Sequence, residues 1–166
     1  FSENVQEHSH MVAVLAHALA VIRRDVLGKQ ADPGLAAAAA LYHDAPEILT
    51  GDLPTPIKYY NPSIKTAYKQ VEKIAGEQLL DKLPPQLRKA YEAYVLEEDE
   101  DVLPIVKAAD KLSAYIKCVE EQKAGNTEFD SAARQTLEAL EALDSPELSW
   151  FMENCLGAFS LNLDQL

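Results

Sequence analysis

Residues that begin helices divide this chain into segments that each have helical periodicity. An aspartate, asparagine or serine directly before a proline is typical of a helix start, because the polar side chain caps free backbone amides and proline needs no N–H in the first turn. The three pairs of this kind are Asp32-Pro33, Asn61-Pro62 and Ser145-Pro146. Within the segments, apolar residues recur every three or four positions, as at Val12, Leu15, Leu19 and Ile22. This spacing predicts helices rather than strands.

These signals predict six or seven helices and therefore an all-α fold with one domain over residues 1–166. They cover roughly residues 5–27, 33–49, 61–79, 84 to the acidic run at 97–101, 103–124, 131–143 and 145–156. The tail after residue 159 alternates apolar and polar residues but is too short for a sheet. The chain begins with Phe1 rather than Met, so we expect that the first part of the natural N-terminus is missing.

Acidic residues outnumber basic ones, 27 against 15, and the formal net charge at pH 7 is −12. Nucleic acid polymers and anionic membranes need clustered lysine and arginine, so this charge argues against both as partners. A small anionic substrate stays open, because a pocket needs only local positive charge or a metal. A hydrophobic fraction of 48% excludes a disordered acidic tail. The sequence has no run of about 18 apolar residues, so we expect no segment that spans a membrane.

The cysteine count bears on the compartment of the protein. Cys118 and Cys155 are too few for a disulfide scaffold. We also expect no signal peptide. Both observations favour a reducing, cytoplasmic setting.

A histidine and an aspartate stand directly after an apolar stretch. Residues 35–42 form an apolar octet typical of a buried helix, and His43-Asp44 follows it. Burying both side chains is costly unless they pair or bind a metal. Glu47 lies about 40° from His43 on a helical wheel, but Pro46 removes an N–H donor and disturbs that helix. The alternative is a helix end with partly exposed polar residues.

Other polar residues on helices could join this pair. On the first helix His8 lies about 200° from His10, whereas His10 and His17 lie within about 20° of each other. Asp110 stands among small and apolar residues of the fifth helix, which favours a cation beside it, either a metal or a lysine such as Lys107. The alternative is a partly exposed position at the edge of the helix. A histidine of the first helix, the His-Asp pair and this aspartate make two imidazoles and two carboxylates. Such a set suits a divalent ion with open positions for water and substrate.

Four stretches of the sequence carry a resemblance to one family. They are residues 3–9 (ENVQEHS), 42–59 (YHDAPEILTGDLPTPIKY), 106–115 (VKAADKLSAY) and 151–153 (FME). The order His, His-Asp, Asp resembles that of the HD-domain metal-dependent phosphohydrolases. The TGDLPTP segment is similar to the bacterial HD-domain 5′-deoxynucleotidases. The resemblance implies a compact helical HD domain that hydrolyses (deoxy)nucleoside 5′-monophosphates to nucleoside and phosphate.

The same resemblance implies roles for individual residues. The implied metal ligands are His8, His43, Asp44 and Asp110. Glu47 would be the carboxylate near the metal-bound water and the phosphoester, and Glu97 would be a second catalytic acid. Asp52 would lie near the substrate sugar, and Lys58, which follows the TGDLPTP segment, is our candidate for the phosphate-binding cation. The family also has an Arg-Trp pair before the first histidine, and none precedes His8 here, so the preference for deoxy over ribo substrates stays open.

One divalent ion is expected, because all four histidines lie at or before position 43 and two-metal relatives use further histidines before the last aspartate. Imidazole with carboxylate favours Co, Mn, Ni, Zn or Fe over Mg. The metal-bound water would attack phosphorus, with Glu47 as base or acid. Two alternatives stay open: a hydrolase of another small phosphoester, such as a nucleoside triphosphate or alarmone, and a catalytically silent helical regulatory module. The apolar residues Trp150, Phe151 and Phe159 could serve a homodimer interface or the core.

Overall fold

The computed structural model describes residues 4–51, 61–97, 99–161 and 164. Asp52 and Lys58 therefore lie outside the described residues. Within these ranges the chain forms eight α-helices and no β-strand, which confirms the predicted all-α class. The helices are α1 (Val5–Val21), α2 (Pro33–Tyr42), α3 (Glu47–Thr50), α4 (Pro62–Leu80), α5 (Pro85–Val95), α6 (Leu103–Lys123), α7 (Asp130–Glu141) and α8 (Pro146–Asn154). The shorter turns are π-helical at Ile22–Val26 and 3₁₀ at Thr127–Phe129 and Leu156–Ser160.

Polar side chains cap the helix starts that the sequence predicts. Asp32 and Asn61 each accept a hydrogen bond from the backbone amide three residues later, at 3.0 and 2.8 Å. Ser145 accepts the equivalent bond at 3.4 Å. At the start of α1, Asn4 and Glu7 form a reciprocal capping box. These contacts satisfy amides that have no partner inside the helix and so define where each helix begins.

The predicted helix over residues 33–49 is wrong at residues 43–46, where the disturbance expected from Pro46 divides it into two helices. The helix α2 ends at Tyr42, and α3 begins only at Glu47. Pro46 has no N–H to donate to the carbonyl of Tyr42, so the helical hydrogen-bond pattern is broken there. Tight turns replace it, with Ala45 N–H donating to Tyr42 O and Glu47 N–H donating to Asp44 O, both at 3.0 Å. His43 and Asp44 consequently lie in a turn at the end of α2 rather than within a helix.

The core lies where α1 packs against α2 and α6. Several alanines at these contacts are fully buried: Ala16, Ala36, Ala40 and Ala109. Such small side chains let helix backbones approach closely, and the larger Leu19, Leu112 and Ile116 fill the remaining space. This packing brings residues that are far apart in sequence to one point near the start of α1.

The aromatic residues near the C-terminal end belong to the core. Phe151 is buried, and Trp150 and Phe159 are partly buried against the same cluster. In the described ranges, no helix has the length and apolarity needed to cross a membrane.

Candidate active site

Four side chains from three parts of the fold meet at one point, and we call them the four-residue cluster. His8 lies on α1, His43 and Asp44 follow α2 directly, and Asp110 lies on α6. His8 Nε2 lies 3.1 Å from Asp110 Oδ1 and 3.5 Å from Asp44 Oδ2. His43 Nε2 lies 3.2 Å from Asp44 Oδ2 and 4.0 Å from Asp110 Oδ1. The structure thus brings together the four residues that the sequence analysis proposes as metal ligands.

The spacing of these atoms fits a single divalent ion. Ligand atoms about 2.1 Å from one ion lie about 3 to 4 Å from one another, depending on the angle at the metal. The four measured distances fall in that range. One ligand atom each from His8, His43 and Asp110 lies within 4.8 Å of the other two. Asp44 adjoins this group through its contacts with both histidines.

The His43 ring is oriented by the backbone. Its Nδ1 lies 2.7 Å from the Ala40 carbonyl oxygen, and Nδ1 must donate because a carbonyl only accepts. A neutral ring then has its lone pair at Nε2, the atom that faces Asp44 and Asp110. That Nε2 is buried and has no partner at hydrogen-bond geometry in the described part of the chain. A metal ion at this point would satisfy it, and the bond to Ala40 would hold the ring in the ligating tautomer.

Without an ion, both histidines hold a proton more tightly than a free imidazole does. The hydrogen bond to Asp110 raises the pKa of His8 against the opposing effect of burial. Burial lowers the pKa of His43, but Asp44 and Asp110 outweigh it and raise that pKa to about 9. Burial also acts to raise the pKa of Asp110, yet the bond from His8 and the charge on His43 lower it. Because metal ligation requires neutral imidazoles, an ion must displace protons here.

The two predicted catalytic acids follow α2 and α5 in the chain. Glu47 is the first residue of α3, three positions after Asp44, and is half-buried. Glu97 lies two residues after α5 and lines a small cavity together with His43. Desolvation raises the pKa of Glu97, against smaller lowering effects of the charges on His43 and Lys107. A carboxyl with a raised pKa next to such a cluster is characteristic of functional sites.

The backbone of Glu97 is strained. Its φ is 52°, and it is the one non-glycine residue with a positive φ among those described. A conformation of this kind costs on the order of 1 kcal/mol and persists only where surrounding contacts hold it, which is common at active sites.

Two contributors to the site were not predicted from the sequence. The Ala40 carbonyl orients His43, and the three-residue spacing at a helix end is a signal that could have indicated it. Tyr94 lines the cavity next to His43, but an aromatic residue on an amphipathic helix looks the same as a core residue in a sequence. His10 and His17, which the helical wheel places on another face of α1 than His8, are both exposed.

Solved structures share the fold of this chain. An HD-domain phosphohydrolase from Listeria innocua matches with a TM-score of 0.81 over 95% of this chain and 77% of that one, at 21% sequence identity. The PH0347 protein from Pyrococcus horikoshii matches with a TM-score of 0.66 over 96% of this chain and 84% of that one, at 24% identity. The fold is that of the HD-domain phosphohydrolases.

Sequence relatives narrow this class to one family. The family described as 5′-deoxynucleotidase YfbR-like matches residues 1–159. A 5′-deoxynucleotidase from Erwinia tasmaniensis is 47% identical over 99% of this chain and 84% of the relative. One from Shewanella oneidensis is 44% identical over 99% of this chain and 86% of the relative. The chain belongs to the 5′-deoxynucleotidase YfbR-like family and is therefore a phosphoric monoester hydrolase, which confirms the resemblance seen in its sequence.

Proposed function

We propose that the chain releases phosphate from deoxynucleoside 5′-monophosphates and uses one divalent ion held by the four-residue cluster. The observation that carries this proposal is the buried Nε2 of His43, which lies 3.2 Å from Asp44 Oδ2 and 4.0 Å from Asp110 Oδ1, distances that suit ligands of one metal ion. Relatives named 5′-deoxynucleotidases, at 44% and 47% identity over nearly the whole chain, support the substrate class.

The donor set bears on the identity of the ion. A divalent ion bound here would lower the pKa of a water molecule and offset the charge of the phosphate dianion. Imidazole nitrogens with carboxylate oxygens favour Co, Mn, Ni, Zn or Fe over Mg. We propose one ion rather than two, because the sequence has no histidine between Asp44 and Asp110.

Carboxylates of this chain are proposed to move the protons. Glu47 would take a proton from the attacking water or return one to the leaving 5′ oxygen, and its position one turn after Asp44 supports this role. Glu97 holds its proton to higher pH than an ordinary glutamate, which suits a donor to the leaving oxygen.

Asp52 is proposed to contact the sugar and Lys58 the phosphate. Raised KM values for Asp52→Ala and Lys58→Ala, with metal binding unchanged, would support these two contacts.

A phosphate-release assay tests the proposal. Wild-type protein is incubated with dAMP, dGMP and TMP, with the ribonucleotides, and with a nucleoside triphosphate, each with Co²⁺ or Mn²⁺ and with a chelator. We expect metal-dependent release from the deoxynucleoside monophosphates, little release from the triphosphate, and loss of activity in Asp44→Ala. His17→Ala is the matched control, because this exposed histidine lies on α1 outside the cluster. Full activity in Asp44→Ala, or no release by the metal-loaded wild type, would contradict the proposal.

Two properties of the whole molecule are also proposed. The free thiols of Cys118 and Cys155 fit a reducing, cytoplasmic compartment.

A homodimer is proposed because Ile48, Val71 and Ile74 expose large apolar side chains on α3 and α4. Light scattering would support the dimer with a mass twice that of one chain, and a monomer mass at micromolar concentration would contradict it.

A further inference from the structure

Three tyrosines pack together where the end of α2 meets α5. The Tyr42 and Tyr94 rings are stacked, with centroids 6.1 Å apart and an interplanar angle of 12°. Tyr91 meets Tyr42 edge-on, with centroids 5.6 Å apart and an angle of 83°. Both arrangements are favourable for aromatic pairs. The contacts therefore join the last turn of α2 to the last turn of α5.

Each ring of the stacked pair stands next to a residue of the site. Tyr42 directly precedes His43, and Tyr94 precedes Glu97 by three residues. Tyr94 also lines the cavity that His43 and Glu97 share, and it packs against the main core. Because few backbone bonds separate each ring from its site residue, a shift of one ring relative to the other changes the spacing between His43 and Glu97.

The turn that carries Glu97 needs such support. Its φ of 52° lies in the left-handed region, which a residue with a side chain adopts only where neighbouring contacts hold it. Leu96, directly before it, lies against α4 so closely that a Cβ built at Gly76 would be 2.9 Å from Leu96 Cδ2. The helix α4 thus supports one part of this turn, and the stacked tyrosines connect it to α2.

We propose that Tyr42 and Tyr94 form a positioning clamp that sets the distance between Glu97 and the four-residue cluster. The clamp's effect on catalysis rests on the proposed function, whereas its effect on the position of Glu97 does not. The contact is made by the ring faces, so phenylalanine preserves it and leucine removes it.

Crystal structures of Tyr94→Leu and Tyr94→Phe test the clamp directly. In Tyr94→Leu the Glu97 backbone should leave the left-handed region or move relative to His43 by roughly 1 Å, a displacement large enough to affect catalysis. In Tyr94→Phe it should superpose on the wild type. If Tyr94→Leu does not fold, Tyr42→Leu is used instead, because it removes the other ring of the stacked pair. A Glu97 that stays in place in a leucine variant would overturn the proposal, and this result needs no activity measurement.

Steady-state kinetics provide a second readout. Tyr94→Leu should lower kcat by about 10- to 100-fold and change KM by less than about twofold, while Tyr94→Phe keeps the wild-type values. When Glu97→Gln is already present, adding Tyr94→Leu should lower kcat by less than about twofold, because the residue that the clamp positions is already lost. Equal losses in both backgrounds would contradict a role through Glu97.

Tyr91→Leu is the matched control, since it removes a ring from the same cluster and the same helix. Tyr91 is not among the described residues that line the cavity of His43 and Glu97. This variant should have a lower melting temperature than the wild type. Adding Glu97→Gln to it should lower kcat by the same factor as Glu97→Gln does in the wild type. If it instead reproduces the kinetics of Tyr94→Leu, the specific clamp is refuted. If the wild type releases no phosphate at all, the proposed function fails, and the crystal structures still decide the clamp.

Discussion

Metal binding by this protein should release protons, and the number follows from the four-residue cluster. Burial lowers the pKa of His43, but Asp44 and Asp110 raise it to about 9 in the ion-free protein. Most of these rings therefore carry a proton at pH 7. Because ligation needs the neutral ring, this one residue makes the dissociation constant of the ion fall about tenfold for each pH unit up to about 9. The pKa of His8 is also raised, which adds part of a second proton.

Isothermal titration calorimetry measures this release. Mn²⁺ or Co²⁺ is titrated into chelator-treated protein at pH 7 in buffers of different ionisation enthalpy, and the slope of the heat against that enthalpy gives the protons released. We expect between about one and two protons per ion and a Kd about 100-fold or more lower at pH 8 than at pH 6. His17→Ala, which changes a histidine outside the cluster, should behave as the wild type. No proton release together with a pH-independent Kd would refute the reasoning.

Three substitutions should lower stability by amounts that thermal or urea unfolding measures. Gly51→Ala should cost about 1 to 3 kcal/mol, because Gly51 has φ 69° and ψ 161°, a region essentially restricted to glycine. Asn61→Ala should cost about 1 kcal/mol because it removes the cap of α4, whereas Asn61→Asp keeps an acceptor and should be nearly neutral. Leu19→Ala should cost about 2 to 5 kcal/mol, since Leu19 is fully buried in the core. An unchanged midpoint in Gly51→Ala, Asn61→Ala or Leu19→Ala would contradict the role assigned to that residue.

The helix starts could be predicted because they depend on neighbouring residues. A cap such as Asp32 or Ser145 acts on an amide three residues away, so the information is local in the sequence. The end of the second helix was predicted wrongly because the apolar octet and Glu47 continue the periodic pattern past His43. Pro46 indicated a disturbance of this helix, but the sequence did not show that the helix would end at Tyr42 and that another would begin at Glu47.

The active site could be predicted only in part. Residue types and their order, together with the family resemblance, indicated which side chains meet, and His8, His43 and Asp110 do lie together. Helical spacing alone could not bring them together, because the approach of α1, α2 and α6 depends on fully buried small residues such as Ala40 and Ala109. The stacked tyrosines and the left-handed backbone of Glu97 are likewise products of tertiary packing.

The claim that the four-residue cluster holds one divalent ion is tested most directly by metal stoichiometry. Protein purified without chelator is loaded with Mn²⁺ or Co²⁺, desalted, and analysed for metal per chain, with circular dichroism as the check on folding. We predict about one ion per chain in the wild type and in His17→Ala, and less than about 0.2 in folded His43→Ala and Asp44→Ala, because each of these loses a ligand. A full ion per chain in either cluster variant, or none in the wild type, would contradict the account.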